Sequence, residues 1–92
     1  MRTFEWDERK ARANLAKHGV TFGESETVFA DPLARVRFDA SHSEAEERSV
    51  IVGVSAKGRL LLVSFTDRAD RIRIISARPL TRAETKAYEE EI

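Results

Sequence analysis

The sequence predicts an α+β fold, and three observations carry the prediction. Two capped helical segments occupy the first third of the chain. From Arg35 onward the apolar period changes from helical to alternating. The alternating segments follow one another through short polar turns before a last capped helix, which predicts an antiparallel meander. The expected order is (β)ααββββα, an antiparallel meander sheet with the helices packed on one face.

The first helix is predicted over Asp7 to His18. The Asp7 carboxylate can accept from the free N–H groups of the first turn. Lys17 and His18 suit the negative end of the helix dipole, and Gly19 suits the left-handed position just past it. The second helix starts at Thr21, where Thr21 and Glu24 have capping-box spacing. Phe22 and Phe29, seven residues apart, share one face beside Val28, and Asp31-Pro32 stops the helix.

Arg35-Val36-Arg37-Phe38 alternates as a half-buried strand does. The polar stretch Asp39 to Glu47, which contains Ser41, His42 and Ser43, reads as a loop. Ser49 to Ser55 is a strand, and Lys57-Gly58 a turn. Leu60 to Thr66 is apolar enough for the centre of the sheet. Asp67 to Asp70 turns the chain again, and Arg71 to Ala77 forms the fourth strand, ended by Pro79. Arg2 to Trp6 adds a short edge strand. The final helix begins at Thr81, where Glu84 completes another capping box. Ala83, Ala87 and Tyr88 give it a modest apolar face.

At 92 residues and 41% apolar, the chain suits one globular domain over residues 1–92. It has no cysteine, so a disulfide framework and a thiolate metal site are excluded. No apolar run approaches the roughly 20 residues of a membrane helix. Met1-Arg2-Thr3-Phe4-Glu5-Trp6-Asp7 holds no signal-peptide core, so a cytoplasmic protein is expected. The formal net charge is zero, but residues 56–82 carry seven basic and two acidic side chains. Such a block offers a local anion site without general stickiness.

Read together, several segments resemble the BrnT family of type II toxins. They are Phe4-Glu5-Trp6-Asp7, then Asn14 with Lys17-His18-Gly19-Val20, then Val28-Phe29-Ala30-Asp31-Pro32. Glu46-Glu47-Arg48, Phe65-Thr66-Asp67-Arg68 and Ile72-Arg73-Ile74-Ile75-Ser76-Ala77-Arg78 follow. Thr81, Glu84 and Tyr88 match in the closing helix. The resemblance runs over nearly the whole chain, in order. It implies a RelE-like fold and a ribonuclease that arrests translation. It also implies neutralisation by a small BrnA-like antitoxin with a ribbon-helix-helix domain, in a complex that represses its own promoter. A 2:2 assembly is expected, because ribbon-helix-helix domains work as dimers. Operator DNA is then met through the antitoxin.

RNA cleavage without a metal needs a base for the ribose 2′-hydroxyl, cations for the charge building on phosphate, and an acid for the leaving 5′-oxygen. Arginine suits the second role, because its planar fork can bind two phosphate oxygens. Alternation puts Arg71 and Arg73 on one sheet face and Ile72 and Ile74 on the other. If the helices cover the isoleucines, the arginines face open solvent where RNA can lie. Arg78 falls on the other parity, at the strand end; it either reaches round the edge or pairs with an acidic helix residue. Arg68 and Lys17 are further phosphate-binding candidates.

Arg48 is either a site residue or the partner of Glu44, Glu46 or Glu47; Glu47 is in turn a candidate base. His18 is either acid or base, or a helix-end residue bonded to free carbonyls. His42 reads as solvated. Tyr88 either packs in the core or offers its hydroxyl as proton donor, as C-terminal residues often do in RelE-like toxins. Trp6 reads as a core or interface anchor. Two distant histidines give no ligand spacing, so neither a metal nor a cofactor is expected. The alternative to an enzyme is a partner-binding module whose arginine-rich sheet grips an acidic protein segment. A direct DNA-binding role lacks a helix-turn-helix or ribbon-helix-helix pattern.

Overall fold

The computed structural model describes residues 3–39 and 47–91. The elements in chain order are β1 (Thr3–Glu5), α1 (Glu8–His18), α2 (Phe22–Val28), β2 (Arg35–Phe38), β3 (Ser49–Val54), β4 (Leu60–Arg68), β5 (Arg71–Pro79) and α3 (Arg82–Glu90). The five strands form one sheet in the order β1-β5-β4-β3-β2. Strands β2 to β5 are the antiparallel meander, with β4 at its centre. β1 lies parallel to β5, with Phe4 beside Ile72 and Glu5 beside Arg73. His42, Glu44 and Glu46 lie outside the described residues.

Local chemistry accounts for the helix ends. Asp7 caps α1 by accepting from the amides of Arg9 and Lys10, at 2.8 and 3.2 Å. Gly19 closes it at φ 68°, a backbone angle that glycine adopts without a Cβ penalty. Thr21 caps α2 by accepting from the Glu24 amide at 3.0 Å. The second half of that expected capping box does not form. The buried Glu24 carboxylate instead accepts from Ser55 Oγ at 2.7 Å and from Arg59 Nε at 3.0 Å, and also meets the Arg59 Nη2. A buried charge needs a charged partner more than a peptide N–H does. At α3 both halves of the box are present.

The core lies between α1, α2 and one sheet face. It gathers Val20, Phe22 and Val28 from the helical half against Ile51, Leu61, Val63, Phe65, Ile72, Ile74 and Ala77. Phe29 stacks edge-on between Phe4 and Phe65, with ring centres at 5.1 and 5.0 Å. Trp6 meets Phe22 the same way at 5.9 Å and so serves packing. Asn14 ties α1 to the sheet from inside: its Nδ2 donates to the carbonyls of Ala77 and Val20, at 2.8 and 3.0 Å, and its Oδ1 accepts from the Ala77 amide at 3.0 Å.

α3 departs from the expected one-sided packing. Arg78, Leu62, Val52 and Arg35 form one cross-strand row on the face opposite the core. α3 meets that row through Glu84 with Arg78 and Glu91 with Arg35. It has no buried residue. Its modest apolar face, Ala87 and Tyr88, borders Val50, Val52 and Leu62 there, and the two ion pairs fasten it to the arginine side of the sheet. Among the described residues no helix is long and apolar enough to cross a membrane.

Candidate active site

The face opposite the core is where the arginines collect. A register shift between Ser64 and Phe65 pairs Ser64 with Ser76 but Phe65 with Ile74, so Ile75 is left unpaired as a bulge. One extra residue reverses the alternation beyond it. Arg78 therefore stands on the same face as Arg73 and Arg71, not on the other parity as simple alternation predicts. Arg48 precedes Ser49, the partner of Phe65, which brings Arg48 level with Thr66 and Arg73 across the sheet. Thr66 is 1% exposed, and its hydroxyl has no hydrogen-bond partner among the described residues.

Two clusters result. At the β1 end, Arg73 and Arg71 donate to the two oxygens of Glu5 at 3.0 and 3.2 Å, and Arg68 stands 3.6 Å from it. The Arg73 and Arg71 hydrogen bonds hold the Glu5 carboxyl below its ordinary pKa. At the α3 end, a polar groove of about 450 Å³ is lined by Arg37, Arg48, Ser64, Ser76, Arg78 and Glu84, among others. There Arg78 grips Glu84 at 2.7 and 2.9 Å. That pair, with the Thr81 amide, lowers the Glu84 pKa to about 2. Among the described residues of both clusters, Arg37, Arg48, Arg68, Arg71, Arg73 and Arg78 outnumber the carboxylates Glu5, Asp39, Glu47 and Glu84, a net positive balance suited to a polyanion.

The structure thus brings together Arg48, Arg68, Arg71, Arg73 and Arg78 on one face. It does not bring His18 or Lys17 there. Both end α1, which packs on the core side of β5. Glu47 is exposed beside Arg48. Tyr88 is neither in the core nor beside Arg73. Its ring lies under the Arg35 guanidinium, 5.1 Å from its centre, and its hydroxyl donates to the Leu33 carbonyl at 3.4 Å. The residue sequence reasoning missed is Glu5. Its sequence signals are its place in the Phe4-Glu5-Trp6-Asp7 segment and its alternation with Phe4 and Trp6 in a short edge strand. Among the described residues no three His, Asp or Glu side chains stand together as metal ligands.

The model of the "Ribonuclease toxin, BrnT, of type II toxin-antitoxin system" family matches residues 6–84. The chain belongs to the BrnT family. The crystal structure of the Brucella abortus ribonuclease toxin BrnT superposes with a TM-score of 0.69 at 25% identity, covering 89% of this chain and 100% of that one. No curated protein matches the sequence. Membership makes this a ribonuclease toxin family chain with an antitoxin partner.

Proposed function

We propose that this chain is a metal-independent endoribonuclease that cleaves RNA on the arginine face of its sheet and so arrests translation in the cytoplasm. The carrying observation is the bulge at Ile75, which aligns Arg71, Arg73 and Arg78 on one face beside Arg48. RNA phosphates would meet planar guanidinium forks there, and Arg73 would stabilise the charge that builds during cleavage. The family match supports the reaction class. The partner in this reading is a BrnA-like ribbon-helix-helix antitoxin in a 2:2 complex, which reaches operator DNA through the antitoxin. The RelE-like relationship belongs to the same reading.

A second reading keeps the arginine face but makes it a grip for an acidic protein segment. One observation favours it: Glu5 and Glu84 already occupy guanidiniums on this face as such a segment would. Induction of the chain alone separates the two. Degraded RNA and falling translation are expected, with rescue on co-expression of the antitoxin. Intact RNA and undiminished translation would sink the enzyme reading. Light scattering on the co-purified pair tests the 2:2 assembly, and a lone toxin peak would count against it.

A further inference from the structure

We propose that Glu5 is the general base of RNA cleavage, taking the ribose 2′-hydroxyl proton while Arg71 and Arg73 hold the scissile phosphate. The inference rests on the ribonuclease reading above. The 2′-hydroxyl is bonded to the carbon next to the one bearing the scissile phosphate. Its base must therefore stand beside the phosphate-binding guanidiniums, within hydrogen-bond reach of the proton.

Among the described residues five carboxylates stand with the arginines of this face. Glu91 pairs with Arg35 of β2, and Glu47 precedes β3, two strands from Arg71 and Arg73, which leaves Glu5, Asp39 and Glu84. Glu84 is committed. Its Oε1 accepts from the Thr81 amide and from Arg78, and its Oε2 accepts from Arg78. Asp39 follows β2, at the far side of the sheet from Arg71 and Arg73. Glu5 differs from both. Each of its oxygens accepts one arginine hydrogen bond and no backbone amide, and the side chain is 24% exposed. A carboxylate oxygen has room for a further hydrogen bond, so Glu5 can receive a hydroxyl without releasing its arginines. His18 is on the core side of the sheet.

The charged groups facing Glu5 are Arg68 from β4 and Arg71 and Arg73 from β5. Asp7, at the start of α1, shares the field of Arg73. The arginines keep Glu5 ionised below the ordinary carboxylate range, so the base form persists in acid. A histidine base would lose it near pH 6.5. In the step itself the 2′-oxygen loses its proton to Glu5 and bonds to phosphorus, and the bond from phosphorus to the 5′-oxygen breaks. The 5′-oxygen takes a proton from solvent water, and Glu5 returns its proton to solvent. The products are a 2′,3′-cyclic phosphate and a 5′-hydroxyl end.

The test compares the wild-type chain with Glu5→Gln on one RNA oligonucleotide, with kcat followed from pH 4 to 8. Binding is measured separately with the 2′-deoxy version, which cannot react. The expected kcat loss in Glu5→Gln is on the order of 10²–10⁴-fold. Its affinity for the 2′-deoxy strand is expected to hold or tighten, because a negative charge leaves the arginine face. The wild-type rate is expected to hold through pH 5. Cleavage by Glu5→Gln within a few-fold of wild type would overturn the assignment. So would a rate loss matched by lost binding, which would make Glu5 only a positioning residue for the arginines. A wild-type acid limb centred near pH 6.5 overturns it even if Glu5→Gln does not fold. If the wild-type chain leaves RNA intact, the ribonuclease reading itself falls, a result distinct from all of these.

Discussion

Arg78 of β5 and Glu84 of α3 share two hydrogen bonds, at 2.7 and 2.9 Å, while Glu84 also accepts from the Thr81 amide at 2.9 Å. One carboxylate thereby caps the last helix and fastens it to the arginine face. α3 buries no residue of its own, so its docking depends on this junction and on the Arg35 contacts with Glu91 and Tyr88.

Glu84 should make stability fall in acid. Its folded pKa is about 2 against an ordinary 4.5. Its contribution is therefore whole above pH 4.5 and lost as pH falls from there toward 2. The side chain is 35% exposed, so solvent screening leaves about 1 kcal/mol. Glu84→Gln should melt roughly 4–8 °C lower at neutral pH. The gap should close between pH 4.5 and 2 in parallel thermal melts; a gap unchanged with pH would show that the charge is not what holds α3.

Asn14 should be worth more than any surface pair. Asn14→Leu leaves the Ala77 amide and carbonyl and the Val20 carbonyl without their side-chain partner inside the fold. At about 1–3 kcal/mol for a stranded buried group, a loss of roughly 2–4 kcal/mol is expected in urea unfolding. A loss below about 1 kcal/mol would mean that α1 is held by its apolar contacts alone.

Gly53 stands where β3 passes closest to α2 and the segment after it. A Cβ there would lie 2.9 Å from Ala34 Cβ, 2.9 Å from Asp31 Oδ2 and 3.2 Å from Val28 Cγ1. Asp31 cannot simply withdraw, because its Oδ2 accepts from the Val54 amide at 2.8 Å. Gly53→Ala should therefore cost about 1–3 kcal/mol by overpacking, read by the same unfolding curves. A neutral result would mean the segment after α2 shifts freely.

Much of this was legible locally. Asp7, Gly19, Thr21 and Thr81 mark helix ends because caps are made by neighbours in sequence. The strands of the meander are legible because alternation is local too. What escaped depends on partners far along the chain. Glu24 has capping-box spacing, yet Arg59, 35 residues on, takes its carboxylate. The parity of Arg78 hinges on one unpaired residue, Ile75, in a strand whose sequence alternates smoothly from Arg71 to Ile74. The place of α3 rests on partners far along the chain, Arg35 for Glu91 and the sheet residues Val52 and Leu62 beside Ala87 and Tyr88, as well as on Arg78. Glu5 became visible only once β1 paired with β5, because the partners it meets there, Arg71 and Arg73, lie 66 and 68 residues away.

Cleavage on the arginine face should depend most directly on Arg73. Its side chain is 30% exposed and lies opposite the core formed by Ile72 and Ile74. Removing it opens no core cavity and forfeits a pair worth about 0–1 kcal/mol. A lost phosphate contact in the transition state should cost about 2–4 kcal/mol, a rate loss on the order of a hundredfold or more. Arg73→Lys should recover only part, since it keeps the charge without the fork. The measurement is RNA cleavage by purified wild type, Arg73→Ala, Arg73→Lys and His18→Gln, each with a thermal melt. The expected result is Arg73→Ala folded like wild type but nearly inactive, with His18→Gln much less affected. Wild-type cleavage by Arg73→Ala, or inactivity of a well-folded His18→Gln alone, would contradict it and move the chemistry to the end of α1.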